Sequence, residues 1–197
     1  MKACLLGNTN AGKTCLSHNI VGHIYNEFHS STIGANFLCK FLPNNISNQL
    51  ILWDTAGQER YRSIVPMYIR GSHVVIIVIC KSIDGVESTV KYWLDQSIKY
   101  IDDNCNYIVL FSKVDEDKNK PTLTDINNIK NILDNYNIQA PILQHSSKTN
   151  YGLKELLSNL TIIGYNIKKD NDDYFENIRD NYIITHTSTY NKCCIIL

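Results

Sequence analysis

The stretch Lys2-Ala3-Cys4-Leu5-Leu6-Gly7-Asn8-Thr9-Asn10-Ala11-Gly12-Lys13-Thr14 decides the fold. A short apolar strand, Lys2–Leu6, runs directly into Gly7–Thr14, which fits the pattern G-x-x-x-x-G-K-[ST]. Glycine permits backbone that a Cβ would block, so successive N–H groups can turn inward at phosphate oxygens. The sequence predicts a helix over Lys13–Val21, whose positive N-terminal end joins the same anion site. In that frame Lys13 neutralises the outer phosphates and the Thr14 hydroxyl holds Mg²⁺. The pattern alone could arise by chance in a turn. With a strand before it and a helix after it, it reads as a nucleoside-triphosphate loop, and it leaves the base open.

Working outward, strand and helix alternate. Ala35–Leu42 and Gln49–Trp53 read as two strands, and the turn residues Pro43-Asn44-Asn45 and Ser47-Asn48 between them predict an antiparallel hairpin. Val74–Cys80 is almost wholly β-branched, as a strand covered on both faces should be. Val86–Tyr100 places Val86, Val90, Trp93, Leu94 and Ile98 at helical spacing. Tyr107–Phe111 is a strand, and Asp125–Tyr136 a helix capped by Thr122 or Thr124. Ile142–His145 is a last strand and Leu153–Ile163 a last helix. The alternation predicts an α/β fold with a mostly parallel sheet. From Ile167 the chain turns charged and Asn-rich, which predicts a tail; a surface helix over Tyr174–Asp180 is the alternative.

Composition narrows the function. At 197 residues the chain suits one domain and a tail. Nineteen basic residues balance nineteen acidic ones, which argues against a generally basic nucleic-acid binder. A hydrophobic share of 44% is enough for a core. The run Val74–Cys80 is far too short to span a bilayer. The N-terminal segment has neither a secretory apolar region nor a Gly at position 2 for myristoylation. Seven cysteines, two of them adjacent at Cys193 and Cys194, do not read as a disulfide framework, so a cytosolic chain is expected.

A second motif makes the assignment specific. Trp53-Asp54-Thr55-Ala56-Gly57-Gln58-Glu59-Arg60 is identified as the DTAGQE motif of the Ras superfamily, with the preceding Trp common in Rab proteins. Ser31-Thr32-Ile33-Gly34-Ala35-Asn36-Phe37 resembles the first switch of a Rab, and Tyr61-Arg62-Ser63 with Pro66-Met67-Tyr68-Ile69-Arg70-Gly71 extends the second. The wording is most similar to the early-endosomal Rab branch, and the resemblance covers Lys2 to about Asn166. It implies a P-loop small GTPase fold with a six-stranded mostly parallel sheet, one antiparallel edge strand and flanking helices. The domain would span 1–166, and residues 167–197 would form a hypervariable tail.

Site residues follow from the same resemblance. Thr9, Asn10, Ala11, Gly12, Lys13, Thr14 and Cys15 would surround the phosphates. Thr14, Thr32 and Asp54 would hold Mg²⁺. The N–H groups of Thr32 and Gly57 would touch the γ-phosphate, and its loss on hydrolysis would release both loops. Gln58 would orient the attacking water. Tyr25 is placed against the guanine, or else anchors the first switch; Asn26 and Glu27 lie near the ribose.

Ser112-Lys113-Val114-Asp115 resembles the N/T-K-x-D motif, with Asp115 facing the base and Ser112 in place of Asn. Ser112 is expected to keep a local backbone contact and lose reach. That corresponds to about 0.5–1.5 kcal/mol, or roughly 2- to 10-fold in affinity. Ser146-Ser147-Lys148 is similar to the SAK loop, whose backbone N–H meets guanine O6.

Phe37, Trp53 and Tyr68 match the aromatic effector patch of Rabs, although Phe37 and Trp53 could simply pack the sheet edge. Thr9 and Asn10 replace smaller residues, so slow intrinsic hydrolysis is expected, and a switch with little or no hydrolysis is the alternative. Cys194-Ile195-Ile196-Leu197 fits C-a-a-X with a geranylgeranyl preference. The tail is slightly acidic and supplies no polybasic anchor, so lipids are expected on both Cys193 and Cys194. The implied partners are GTP and GDP, an exchange factor, a GTPase-activating protein, a prenyl-binding escort or dissociation inhibitor, and membrane effectors. The implied form is a monomer, in the cytosol and on the cytoplasmic face of endomembranes, with endosomes the first candidate.

Overall fold

The computed structural model describes residues 1–26, 32, 34–42, 49–57 and 63–167. The strand that opens the chain, β1 (Lys2–Leu6), lies at the centre of a six-stranded sheet. Its successive side chains alternate between faces, so Ala3 and Leu5 enter one core and Cys4 and Leu6 the other. The remaining strands are β2 (Ala35–Phe41), β3 (Gln49–Thr55), β4 (Val74–Ile79), β5 (Asn106–Phe111) and β6 (Ile142–Gln144). The order is β2-β3-β1-β4-β5-β6, and every pairing is parallel except β2 with β3 at one edge. This is the expected sheet. Every residue of β4 is buried, which is why its sequence shows no polar alternation.

Helices cover both faces. On one face α1 (Lys13–Val21) contributes Leu16 and Ile20, and a helix over 153–167, α5, contributes Leu156 and Leu160. On the other, α2 (Val65–Ile69), α3 (Val86–Ile98) and α4 (Leu123–Asn135) contribute Ile69, Trp93, Leu94, Ile129 and Leu133. Each of these residues removes about 1.5–3 kcal/mol of apolar surface from water. The cap of α4 is Thr122: its hydroxyl accepts from Asp125 N (3.2 Å), and Asp125 Oδ2 accepts from Thr122 N (2.7 Å).

Several boundaries differ from expectation. β3 continues to Thr55, so Asp54 stands inside a strand rather than after it. α3 stops at Ile98 instead of Tyr100, and α5 runs to 167 instead of 163. The short α2, with Pro66 in its first turn, was not expected as a helix, because five residues carry too little periodicity to read.

β1 is the point where the sheet's connections diverge to either side, toward β3 and toward β4. In open α/β sheets a ligand crevice opens at the carboxyl ends of the strands at such a point. The loop Gly7–Gly12 leaves β1 there.

Candidate nucleotide site

The phosphate loop closes around its lysine. Lys13 is buried, and its Nζ donates to the carbonyls of Gly7 (2.9 Å) and Asn8 (2.8 Å). Burial lowers the ammonium to about 8, opposed by the nearby Asp54 and Asp84 carboxylates. Gly12 begins α1 with φ 93°, a left-handed conformation that suits glycine. Gly57 stands against this loop. A Cβ on it would lie 2.5 Å from Lys13 Nζ and 2.6 Å from the Asn8 carbonyl. Asn8 is itself tied down, its Nδ2 donating to Asp84 Oδ1 (2.7 Å) and Thr89 Oγ1 (3.2 Å). Asp84 also accepts from Cys80 N (2.8 Å), so the end of β4 and the start of α3 fix the loop. Asn8, Asp84 and Thr89 were not legible as site residues, because no motif links positions that far apart.

Three oxygen-bearing side chains converge beside Lys13. Thr14 Oγ1 donates to Asp54 Oδ2 (2.7 Å) and lies 3.0 Å from Thr32 Oγ1, which is 3.4 Å from the same carboxylate oxygen. Asp54 is 1% exposed, and its Oδ1 has no hydrogen-bond partner among the described residues. Burial raises its pKa, opposed by the Thr14 hydroxyl and by Lys13. An orphaned buried carboxylate oxygen beside two hydroxyls is an all-oxygen donor set, which fits Mg²⁺.

The base side is a cavity of about 310 Å³ next to this cluster. Asn10, Gly12, Cys15, Tyr25, Ser112, Lys113, Asp115, Ser147 and Lys148 line it, together with Glu116, which the sequence did not single out. Ser112 keeps more than was expected of it. Its hydroxyl donates to the Ala11 carbonyl (2.6 Å) and the Ile79 carbonyl (3.0 Å). The base loop and phosphate loop approach so closely that a short side chain spans them. A second tie runs from Lys113 Nζ to Asn10 Oδ1 (3.2 Å), both residues having positive φ. Ser146 lies behind the cavity, its hydroxyl donating to Asp115 Oδ1 (2.6 Å) and fixing the carboxylate. Burial pushes the Cys15 thiol up, away from the thiolate form.

His145 supports the same loop from below. It is 1% exposed, its Nε2 is 3.2 Å from Ser147 Oγ, and its Nδ1 has no partner among the described residues. Burial lowers its pKa from 6.5 to about 4. An unfolded chain therefore takes up this proton first as pH falls. The stability His145 supplies is full above pH 6.5 and is lost progressively toward pH 4, by about 3 kcal/mol. Urea unfolding at pH 7 and pH 4.5 should show a smaller pH dependence for His145→Gln than for the parent.

The three expected aromatics form one patch. Phe37 sits opposite Trp53 in the β2–β3 register with ring centroids 6.0 Å apart, and Trp53 stacks on Tyr68 at 5.4 Å. Phe37 is 61% exposed. Lys2 Nζ lies 5.1 Å from the Trp53 ring, on the face of the indole. Past the end of β4, Lys81 pairs with Asp125 of α4 (2.5 Å), and Ser82 N donates to Asn119 Oδ1 (2.9 Å) in the turn that precedes α4.

Thr9 and Asn26 are exposed and do not line the cavity. Glu27, Gln58, Cys193 and Cys194 lie outside the described residues. Among the described residues no helix is long and apolar enough to cross a membrane.

Known proteins share this arrangement in sequence. The family described as Ras of Complex, Roc, domain of DAPkinase matches residues 2–115. The chain is 35% identical over 162 residues to a putative ras-related protein Rab-5B of Dictyostelium discoideum, covering 81% of this chain and 72% of that protein. It is 35% identical over 125 residues to the GTP-binding protein YPTM2 of Zea mays, covering 63% and 62% respectively. It is 32% identical over 155 residues to the Ras-related protein Rab-1A of Dictyostelium discoideum, covering 78% and 75%. A phosphate loop closed on Lys13, a base cavity with Asp115 at its wall and this degree of identity lead to one conclusion: the chain belongs to the Rab-type small GTPases of the Ras superfamily and is a guanine-nucleotide-binding GTP hydrolase of vesicular trafficking.

Proposed function

We propose that this GTPase is a membrane-attached switch of the endosomal system whose two sensor loops read the γ-phosphate. One observation carries the reading: Thr32 and Gly57, from the two ends of the β2–β3 unit, both reach the phosphate loop. Thr32 Oγ1 is 3.0 Å from Thr14 Oγ1, and Gly57 abuts Lys13 and Asn8. Groups that meet at one point can be ordered by a ligand placed there and released when it goes.

Thr14, Thr32 and Asp54 would hold Mg²⁺, which supplies neutralisation of phosphate charge when bound. Lys13 neutralises the outer phosphates, Asp115 binds the base and Gln58 orients the attacking water. Thr9 beside that water's path is read as slowing intrinsic hydrolysis. Chelating divalent cations with EDTA should speed release of bound GDP at least tenfold in a fluorescence assay; an unchanged rate would remove the metal from the account.

The patch of Phe37, Trp53 and Tyr68 spans both sensor loops, since Gly34 lies close to the Tyr68 hydroxyl and Ala56 N donates to Gly34 O (2.8 Å). Effectors are proposed to dock there. Aromatic anchors of this kind are worth ~2 kcal/mol or more, so Tyr68→Ala should weaken effector capture about 30-fold. Nucleotide affinity should stay within twofold, because Tyr68 lies outside the base cavity. Equal loss of both would make Tyr68 structural.

Exchange factors, activating proteins and a prenyl-binding escort are the proposed regulators of the monomer. The endosomal placement is supported by the motif wording and by the Rab-5B relative. The boundary is placed at residue 166, with prenyl groups on Cys193 and Cys194 as the anchor. Intact mass from a eukaryotic host should show two prenyl additions; one or none would refute double modification.

A further inference from the structure

One face of α5 is apolar and lies apart from the nucleotide site. Leu153, Leu157, Thr161 and Ile162 line a shallow groove of about 620 Å³ along it. Tyr165 continues the stripe, and these residues recur in steps of three and four, as one helix face requires. Ile162 is 60% exposed and Tyr165 61%. Leu153 and Leu157 reach the core from the inner edge of the stripe.

The chain that follows α5 has a matching pattern. Residues 168–173, Lys-Lys-Asp-Asn-Asp-Asp, are wholly polar. Six residues fall within the 2–8 typical of connections between antiparallel helices. Beyond them Tyr174, Phe175, Ile178 and Tyr182 stand at i, i+1, i+4 and i+8, a second apolar stripe of helical period. Asp173 with Glu176 three residues on is a helix-start signal, and Asp172 favours the same end of the dipole. Folding back after a six-residue connection would set Tyr165 opposite Phe175, Ile162 opposite Ile178, and Leu157 near Tyr182.

We propose that residues 174–182 dock as a helix in the α5 groove, forming a helical hairpin with it. The exposed edge of the α5 stripe and a segment too short to hold a helix alone would then be buried against one another. The docking would shorten the membrane tether. Free, residues 168–192 can reach roughly 80 Å in extended form; docked, residues 183–192 reach roughly 33 Å. That consequence rests on the proposed lipid at Cys193 and Cys194, whereas the docking does not.

Hydrogen exchange on the full GDP-loaded chain tests it. Amides of residues 175–182 should exchange at least tenfold more slowly than an unstructured chain, and Ile162→Asp should abolish that protection. Retained GDP reports that the variant is folded. Should it lose GDP, Ile178→Asp gives the same readout without touching the domain. Exchange at the unstructured rate in the parent overturns the proposal, as does protection that survives both substitutions. Protection that vanishes on dilution, with a dimer in sedimentation, would assign the groove to a second copy and overturn it too. None of these readouts depends on prenylation, so unlipidated protein separates failure here from failure of the anchor.

Discussion

Asp115→Ala should weaken guanine-nucleotide binding by about 10²–10⁴-fold, with weak adenine-nucleotide binding little changed. The side chain stands at the wall of the base cavity, and its Oδ1 is fixed by the Ser146 hydroxyl at 2.6 Å. Its remaining lone pairs suit the two neighbouring donors of guanine, the ring N–H and the exocyclic amine. Each bond from such a donor to a carboxylate is worth about 1.5–3 kcal/mol, so losing both removes about 3–6 kcal/mol. Titration of fluorescent GDP measures this directly. Ser146→Ala offers a graded comparison: the carboxylate stays but loses its tether, and affinity should fall only about tenfold, the scale of one hydrogen bond. An Asp115→Ala protein that keeps affinity within threefold would place base recognition elsewhere.

Gly57→Ala should lower GTP hydrolysis and effector capture by about 10- to 150-fold, the loss of one hydrogen bond to a charged group. The added methyl would lie 2.5 Å from Lys13 Nζ and 2.6 Å from the Asn8 carbonyl. Neither neighbour can yield cheaply. Lys13 is buried and holds two carbonyls, and Asn8 is held by Asp84 and Thr89. The strand end must therefore back away from the phosphate loop, carrying the Gly57 N–H out of reach of a γ-phosphate. GDP has no group at that position, so its affinity should change less than about threefold, the cost of less than one hydrogen bond. Single-turnover hydrolysis set beside GDP release tests the split; parallel loss of both would mean that the methyl disrupts the whole loop.

Legibility tracked how local each feature is. Gly7–Thr14 could be read because its chemistry is contiguous and a β-strand and helix bracket it. The buried β4 could be read from its unbroken β-branched run. Ser112 was expected to lose reach, yet its hydroxyl is 2.6 Å from the Ala11 carbonyl. The distance between two loops a hundred residues apart is a property of the packed sheet, not of either segment. The Asn8–Asp84–Thr89 ties and the pinning of Asp115 by Ser146 were hidden for the same reason. Asp54 was assigned to a metal site from the resemblance alone. Its buried Oδ1 without a partner among the described residues emerges only once β3 and α1 are packed together. The short α2 escaped because five residues cannot display a period.

The central claim is a guanine-specific nucleotide site whose own residues hydrolyse GTP slowly. The most direct test is to denature the purified chain, identify the nucleotide it carried, and then follow single-turnover conversion of reloaded GTP. Close to one guanine nucleotide per chain is expected, mostly GDP, with slow but measurable conversion of GTP to GDP that stops with Gln58→Leu. An adenine nucleotide, an empty site, or GTP that persists unhydrolysed in the parent protein would contradict it.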